Sequence, residues 1–267
     1  MTEEGVFRIP SLRWWTLAVV TFILAPLIVV SFVAFTTTDH LSMPTEGVSL
    51  RWFEEIADRP IFITSFINSI QLALMASATA LVLGMMAAIA VVRFTLFGRK
   101  TLDSILMSPL FVPIILTGLA ILITTSAFGG VDPGPRLFVG HVVVVLPYVV
   151  RSLVASLSSF DINQELAARD LGAPPLRAFR LVTLPQIGPG LFAAGMFAFI
   201  VSVDNVGLSL FLTGSDFRVL PVELYQYAHY NNDPLAAAVS VVLIAVSLLG
   251  VFLLQKLFGL ERMLVVR

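Results

Sequence analysis

Six stretches of about twenty or more mostly apolar residues divide the chain, at roughly 15–36, 68–92, 102–125, 137–157, 190–212 and 234–258. A helix needs about 20 such residues to cross the hydrocarbon core of a bilayer, where each backbone N–H and C=O must be satisfied inside the protein. A water-soluble fold of 267 residues could not hide six of them. Hydrophobic residues make up 58% of the chain and charged residues only 12%, against about 25% charged in an ordinary soluble domain. The expected fold class is all-α and polytopic, a bundle of six transmembrane helices. The fourth stretch is Val-rich and holds His141, Pro147 and Arg151, so a strand is locally possible there; its neighbours decide for a helix.

The first stretch is too long for the apolar part of a signal peptide, and no small-residue cleavage site follows it. It reads as the first span. Residues 1–14 then form an N-terminal segment, 15–258 one membrane domain with the first span as a possible peripheral addition, and 259–267 a tail. No tandem or low-complexity repeat is present.

Twelve of the sixteen Lys and Arg residues fall on one set of loops: Arg8, Arg13, Arg93, Arg99, Lys100, Arg151, Arg169, Arg177, Arg180, Lys256, Arg262 and Arg267. Only Arg51, Arg59, Arg136 and Arg218 fall on the other. Basic loops stay cytoplasmic, so both termini and the loop 158–189 are expected inside. Two outer loops carry short helix candidates. In one, Leu50 to Ile56 would place Trp52, Phe53 and Ile56 on the membrane face; in the other, Leu220 to Tyr227 follows a proline signal. Both read as interfacial anchors or as docking points for an external protein.

The loop 158–189 is polar and helix-forming. Asp161 or Asn163 can cap a helix from about Gln164, and Ala167 and Ala168 favour it without bulk. Gly172 suits its left-handed end, Pro174 and Pro175 the start of a second short helix over 176–182, and Pro185 its stop. The result is a helix–turn–helix whose small residues admit a partner surface, with Arg169, Arg177 and Arg180 around it.

The run Glu165-Leu166-Ala167-Ala168-Arg169-Asp170-Leu171-Gly172-Ala173, followed by Phe179 and Val182-Thr183-Leu184-Pro185, resembles the Glu-Ala-Ala loop of binding-protein-dependent ABC importer permeases. Asn68-Ser69-Ile70, Gly84, Arg93, Phe97-Gly98-Arg99, Pro109, Pro113 and Pro147-Tyr148 extend the resemblance along nearly the whole chain. Val201-Ser202-Val203-Asp204-Asn205, Phe211-Leu212-Thr213-Gly214 and Leu220-Pro221 are similar to the second permease subunit of spermidine/putrescine importers. The resemblance implies a type I importer permease fold. It also implies that Glu165, Ala167, Ala168, Arg169, Asp170, Gly172, Ala173, Arg177, Leu184 and Pro185 form a coupling loop docked on an ATPase subunit. The partners implied are a second permease, two ATPase subunits carrying ATP and Mg, an external solute-binding protein and membrane lipid. The implied solute is a small molecule, a polyamine first, with an amino-acid derivative, phosphonate or sugar as the alternative. One departure stands out: the family's Glu directly before Ala-Ala is Leu166 here, and Glu165 lies one place earlier, about 100° around a helix.

Asp204 is the one acid placed deep in a span, at an insertion cost of about 2.5–3.5 kcal/mol at the helix centre. Asn205 adds an amide beside it. On a continuous helix Ile200, Val201 and Leu208 would share its face, with Phe197 and Phe211 near that face two turns away. Two readings stand for Asp204: a pathway acid attracting a cationic amine, as the resemblance implies, or a buried helix-packing group. Ser202 and Ser209 read as packing residues, Gly84 as a close-packing position, Pro109, Pro113 and Pro147 as kinks, and His141 as a satisfied structural histidine rather than a ligand or proton relay.

The three histidines lack metal-ligand spacing, and there are no cysteines. Gly98-Arg99-Lys100-Thr101 lacks the glycine-rich turn of a phosphate loop. With a net charge of −1 there is no nucleic-acid footprint. No catalytic set stands out, so the chain is expected to be a transport subunit without a bound cofactor. A self-sufficient channel or ion-coupled carrier would call for inverted repeats, and none is evident.

Overall fold

A computed structural model describes residues 10–41, 45–94 and 98–258. The expected tail 259–267, most of the N-terminal segment 1–14 and Phe97 lie outside these residues. Among the described residues every regular element is helical.

The chain divides into two compact units, one of residues 1–60 with 227–254, the other of residues 61–226 with 255–267. In the first, α1 (Pro10–Ala34) is an apolar helix with most of its side chains exposed, as lipid contact requires. A short helix, α2 (Arg51–Ala57), follows. Its Trp52 does not lie on a membrane face as expected: it is buried, and its Nε1–H donates to Thr36 O at 3.1 Å. An indole buried this way needs a partner for its N–H, and the carbonyl of Thr36, just past the end of α1, supplies it.

The second unit begins with α3 (Pro60–Arg93), whose 34 residues span about 51 Å, enough to cross a bilayer and project beyond it. Next come α4 (Arg99–Met107), a 3₁₀ turn (Ser108–Phe111) and α5 (Ile114–Ala127). The stretch 102–125 was expected to be one kinked span; it is broken, with 101° between its halves. Pro113 has no N–H to continue the ladder, and its ring holds Val112 extended (φ −94°, ψ 129°). Pro109 causes no such break, because it sits in the first turn of the 3₁₀ segment, where no N–H is needed.

The Val-rich fourth stretch is α6 (Pro133–Ser159), helical through Pro147. Its most apolar portion is 56% buried, against 33% for α3, so α6 is the centre of this unit. Glycine lets α3 approach it: a Cβ at Gly84 would fall 2.6 Å from Val149 Cγ1. The segment between α6 and the next long helix holds α7 (Ile162–Asp170), α8 (Pro175–Ala178), a π turn (Phe179–Thr183) and α9 (Leu184–Gln186).

The fifth stretch, expected as one helix over 190–212, is α10 (Gly188–Val203) and α11 (Val206–Leu212), interrupted at Asp204 and Asn205. The loop after α11 carries α12 (Leu220–Tyr230), with Pro221 in its first turn, and α13 (Leu235–Phe258) ends the described chain. Each of the six apolar stretches thus coincides with a helix or an interrupted pair of helices.

Candidate functional site

The loop between α6 and α10 folds as a compact helical hairpin. Asp161 caps α7, its carboxylate accepting from the Asn163 N–H at 3.0 Å. Gly172, at φ +92°, closes it: the Gly172 N–H donates to Arg169 O and the Ala173 N–H to Ala168 O, a paired ending that needs a left-handed residue. Pro174 and Pro175 turn the chain into α8. Pro185 does not stop the second helix as expected, since helical structure runs on to Gln186. The π turn beforehand makes this possible. The Leu184 N–H reaches back five residues to Phe179 O, so one extra residue is absorbed just where Pro185 interrupts the regular pattern.

Glu165 is buried, and its carboxylate points into the protein rather than outward. It receives both arms of the Arg93 guanidinium, Nη1 to Oε1 at 2.9 Å and Nη2 to Oε2 at 2.7 Å. Thr183 Oγ1 donates to the same carboxylate, and Arg93 Nη2 reaches Thr183 Oγ1 at 3.3 Å. The Phe179 ring lies 5.4 Å from the guanidinium carbon, and Gln186 Nε2 donates to Gln164 Oε1 at 2.6 Å. Burial pushes the Glu165 carboxyl up, but the hydrogen bonds from Arg93 and Thr183 and the charges of Arg93 and Arg169 outweigh it and hold it below its ordinary value. Deleting one partner of a buried pair of this kind costs about 3–5 kcal/mol.

Leu166, one residue on, faces outward. With Leu171 (90% exposed), Leu176 (78%) and Leu181 it is one of four exposed leucines on the hairpin. Ala167, Arg169, Asp170, Gly172, Arg177 and Pro185 are exposed as well, while Ala168, Ala173 and Leu184 are half-buried. Four exposed leucines on so short an element are apolar surface that a partner can cover.

The second candidate region lies at the break between α10 and α11. Asn205 is buried and caps α11, its Oδ1 accepting from the Leu208 N–H at 3.1 Å. His141 of α6 bridges the two halves, Nδ1 to Ser202 Oγ at 2.7 Å and Nε2 to Ser209 Oγ at 3.0 Å. Ser202 and Ser209, expected to pack helices, do so by tying the halves of a broken span to one ring. Arg136 holds the far end of α11 by donating to Leu212 O at 2.7 Å and Thr213 O at 3.0 Å. Asp204 is exposed, not deep inside a continuous helix. The break also removes Leu208 and Phe211 from its helical face: Leu208 is fully buried and Phe211 half-buried on α11. Phe197 remains on the Asp204 face of α10, two turns away, 51% exposed and with its ring 5.1 Å from that of Tyr148.

Arg93 as the partner of Glu165 is what the sequence does not show; His141 is the satisfied structural histidine expected, and only its two serine partners are new. Arg93 ends an apolar helix, where a basic residue reads as a membrane anchor, and nothing in its neighbourhood points to a carboxylate 72 positions later. A better signal was available for His141, a polar ring facing two serines at positions of the same expected span.

The family described as "Binding-protein-dependent transport system inner membrane component" matches residues 80–260. The chain belongs to this family. The permease is 27% identical over 237 residues to the "Spermidine/putrescine transport system permease protein PotC" of Haemophilus influenzae, covering 89% of this chain and 92% of that one. It is 28% identical over 238 residues to the "Putrescine transport system permease protein PotI" of Escherichia coli, covering 86% and 84%. Its fold matches a chain of a bacterial ABC transporter involved in the import of the acidic polysaccharide alginate, with TM-score 0.69 over 97% of this chain and 98% of that one at 15% identity. The permease is a multi-pass inner-membrane component of an ABC importer. It is a transport subunit rather than an enzyme, and ATP hydrolysis belongs to a separate subunit. Its family works with another permease, an ATPase and a binding protein.

Proposed function

We propose that the permease forms half of a translocation pathway for a polyamine of the spermidine/putrescine type. A second, similar permease supplies the other half, two ATPase subunits bind ATP and Mg on the cytoplasmic side, and an external solute-binding protein delivers the solute. Both termini and the hairpin 158–189 face the cytoplasm. The observation that carries this reading is the hairpin itself, a compact helical element between two apolar stretches with exposed leucines and arginines. Glu165, Ala167, Ala168, Arg169, Asp170, Gly172, Ala173, Arg177, Leu184 and Pro185 belong to this element. Glu165 acts from inside it, and its exposed members dock in the ATPase. ATP-driven closure pushes the hairpin, the pathway opens outward, and the binding protein releases its solute.

The likeness to PotC and PotI supports the polyamine. So does the exposed face of α10. Asp204 offers a carboxylate, and about 10.5 Å along the same helix Phe197 offers an aromatic ring paired with Tyr148. A flexible chain of methylenes ending in ammonium groups matches that alternation of charge and ring face. Asn205 serves the pathway by capping the break, and Phe211 lines α11 beyond it.

Reconstitution of the permease pair with ATPase and binding protein tests the reading. Labelled putrescine or spermidine should enter proteoliposomes only with ATP. Flux from the permease without nucleotide, or a binding protein that ignores both amines, defeats it. Asp204→Asn should weaken amine uptake while the complex still assembles.

A further inference from the structure

The hairpin is joined to α6 and α10 through the chain itself. Its link to α3 is made instead by side chains, and α3 is tied at two places along its length. Near its cytoplasmic end Arg93 grips Glu165 and Thr183 through two parallel charge-assisted bonds and a third contact. Near its other end Asn68 Nδ2 donates to Arg218 O at 3.0 Å, and Ser69 Oγ accepts from the Leu220 N–H at 2.8 Å. Those two backbone groups belong to the segment that leads from α11 into α12. Ser69 and Arg93 are 24 residues apart on one uninterrupted helix, about 36 Å. Between them the helix is held against α6 at Gly84 and meets α10 where Leu81 faces Gly195.

We propose that α3 is a rod carrying the ATPase stroke from the hairpin to the outer 218–220 segment, with Arg93 as the positioning residue at its driven end and Asn68 and Ser69 at its working end. The proposal rests on the hairpin being the ATPase docking element. A bidentate guanidinium–carboxylate pair suits such a joint because it resists rotation and transmits both push and pull, which a single point contact does not. The orientation of Glu165 explains the residue beside it. With the carboxylate committed inward to Arg93, Leu166 is left to face the partner as an apolar contact. The stroke then reaches the outer segment through a helix that contains no internal proline after its first residue. The other two spans near the pathway are interrupted, at Pro113 and at Asp204–Asn205, and would absorb the motion by bending.

The test uses the full complex in nanodiscs and proteoliposomes, with putrescine and spermidine as probes and ATP consumed per amine imported as the readout. The wild-type permease is first checked for co-purification of the ATPase; its absence overturns the docking reading and the rod with it. With the complex intact, Arg93→Met should raise ATP consumed per amine about tenfold, within the range that contacting pairs give in double-mutant cycles. Arg93→Lys keeps the charge without the fork and should fall in between, and the exchanged pair Arg93→Glu with Glu165→Arg should recover part of the loss. Ser69→Ala should uncouple in the same direction, and combined with Arg93→Met should add little, as two joints on one rod require. If Arg93→Met fails to assemble, Arg93→Lys and Ser69→Ala decide. Because the chain has no cysteine, spin labels at Ile162→Cys and Met86→Cys report the joint directly. Their separation should stay constant between nucleotide-free and ATP-trapped states, and should broaden in Arg93→Lys. Normal coupling in Arg93→Lys and Ser69→Ala, or a label separation that changes with nucleotide in the wild type, overturns the rod while leaving hairpin docking in place.

Discussion

Among the described residues of this apolar protein, the polar cluster at the end of α3 and the one at the α10–α11 break are built from different chemistry. At the end of α3, Arg93, Glu165 and Thr183 are joined by full charges. At the break between α10 and α11, His141, Ser202, Ser209 and Asn205 are joined by hydrogen bonds without an ion pair, and the nearby acid, Asp204, turns to the surface. Position explains the contrast. The first cluster sits where α3 leaves its apolar run, so water is close and a charge pair is affordable; the second lies within an apolar stretch, where an ionised side chain costs about 2.5–3.5 kcal/mol. A charged pair joins two elements beyond the apolar run of α3, and neutral groups satisfy a helix interrupted within an apolar stretch.

The largest effect is expected at the charged cluster. Arg93→Met should lower the stability of the purified permease by about 3–5 kcal/mol, because Glu165 stays buried without its cation; a melting temperature equal to wild type would show the pair to be ornamental. Acid reaches the same contact without mutation. The folded Glu165 carboxyl titrates below its ordinary value of 4.5, so the ion pair contributes fully above that value and is lost as pH falls through the lower, folded one. Thermal unfolding between pH 5 and 8 should therefore show no transition that Glu165→Gln removes.

At the neutral cluster, His141→Leu should cost less, about 1–3 kcal/mol, since the two serine hydroxyls lose their partner. Gln in place of His141 should recover part of it, and equal melting of the Leu and Gln variants would separate the ring from the break. The smallest effects compare two caps. Asn205→Ala, buried at the break, should cost about 2 kcal/mol, and Asp161→Ala, exposed on the hairpin, about 1 kcal/mol or less. Thermal melts in which Asp161→Ala is the worse of the two would reverse the ranking of buried over exposed caps.

The framework around the two clusters was legible in the sequence, and the clusters themselves were not. The six apolar stretches could be read because bilayer thickness sets their length, and the cap at Asp161 and the turn at Gly172 because these residue types have few other uses in a helical hairpin. Pro113 announced a disturbance but not a 101° bend. The break at 204–205 was hidden. Asp-Asn inside an apolar run looks the same whether it is a buried polar face or a helix end with its own cap, and the difference depends on Ser202 and Ser209 meeting a ring on α6. The inward turn of Glu165 was hidden for the same reason. One-residue periodicity places Glu165 and Leu166 about 100° apart but cannot say which of them faces the protein; only Arg93 settles that.

The widened turn at 179–183 has a consequence of its own. Its surplus residue is taken up within a single turn, so the Leu184 N–H still meets Phe179 O although one residue more separates them. Deleting Val182 would let that turn close at ordinary pitch with the same two groups bonded, and the Thr183 hydroxyl would keep its place. The same deletion in a regular turn would swing every later side chain by about 100°.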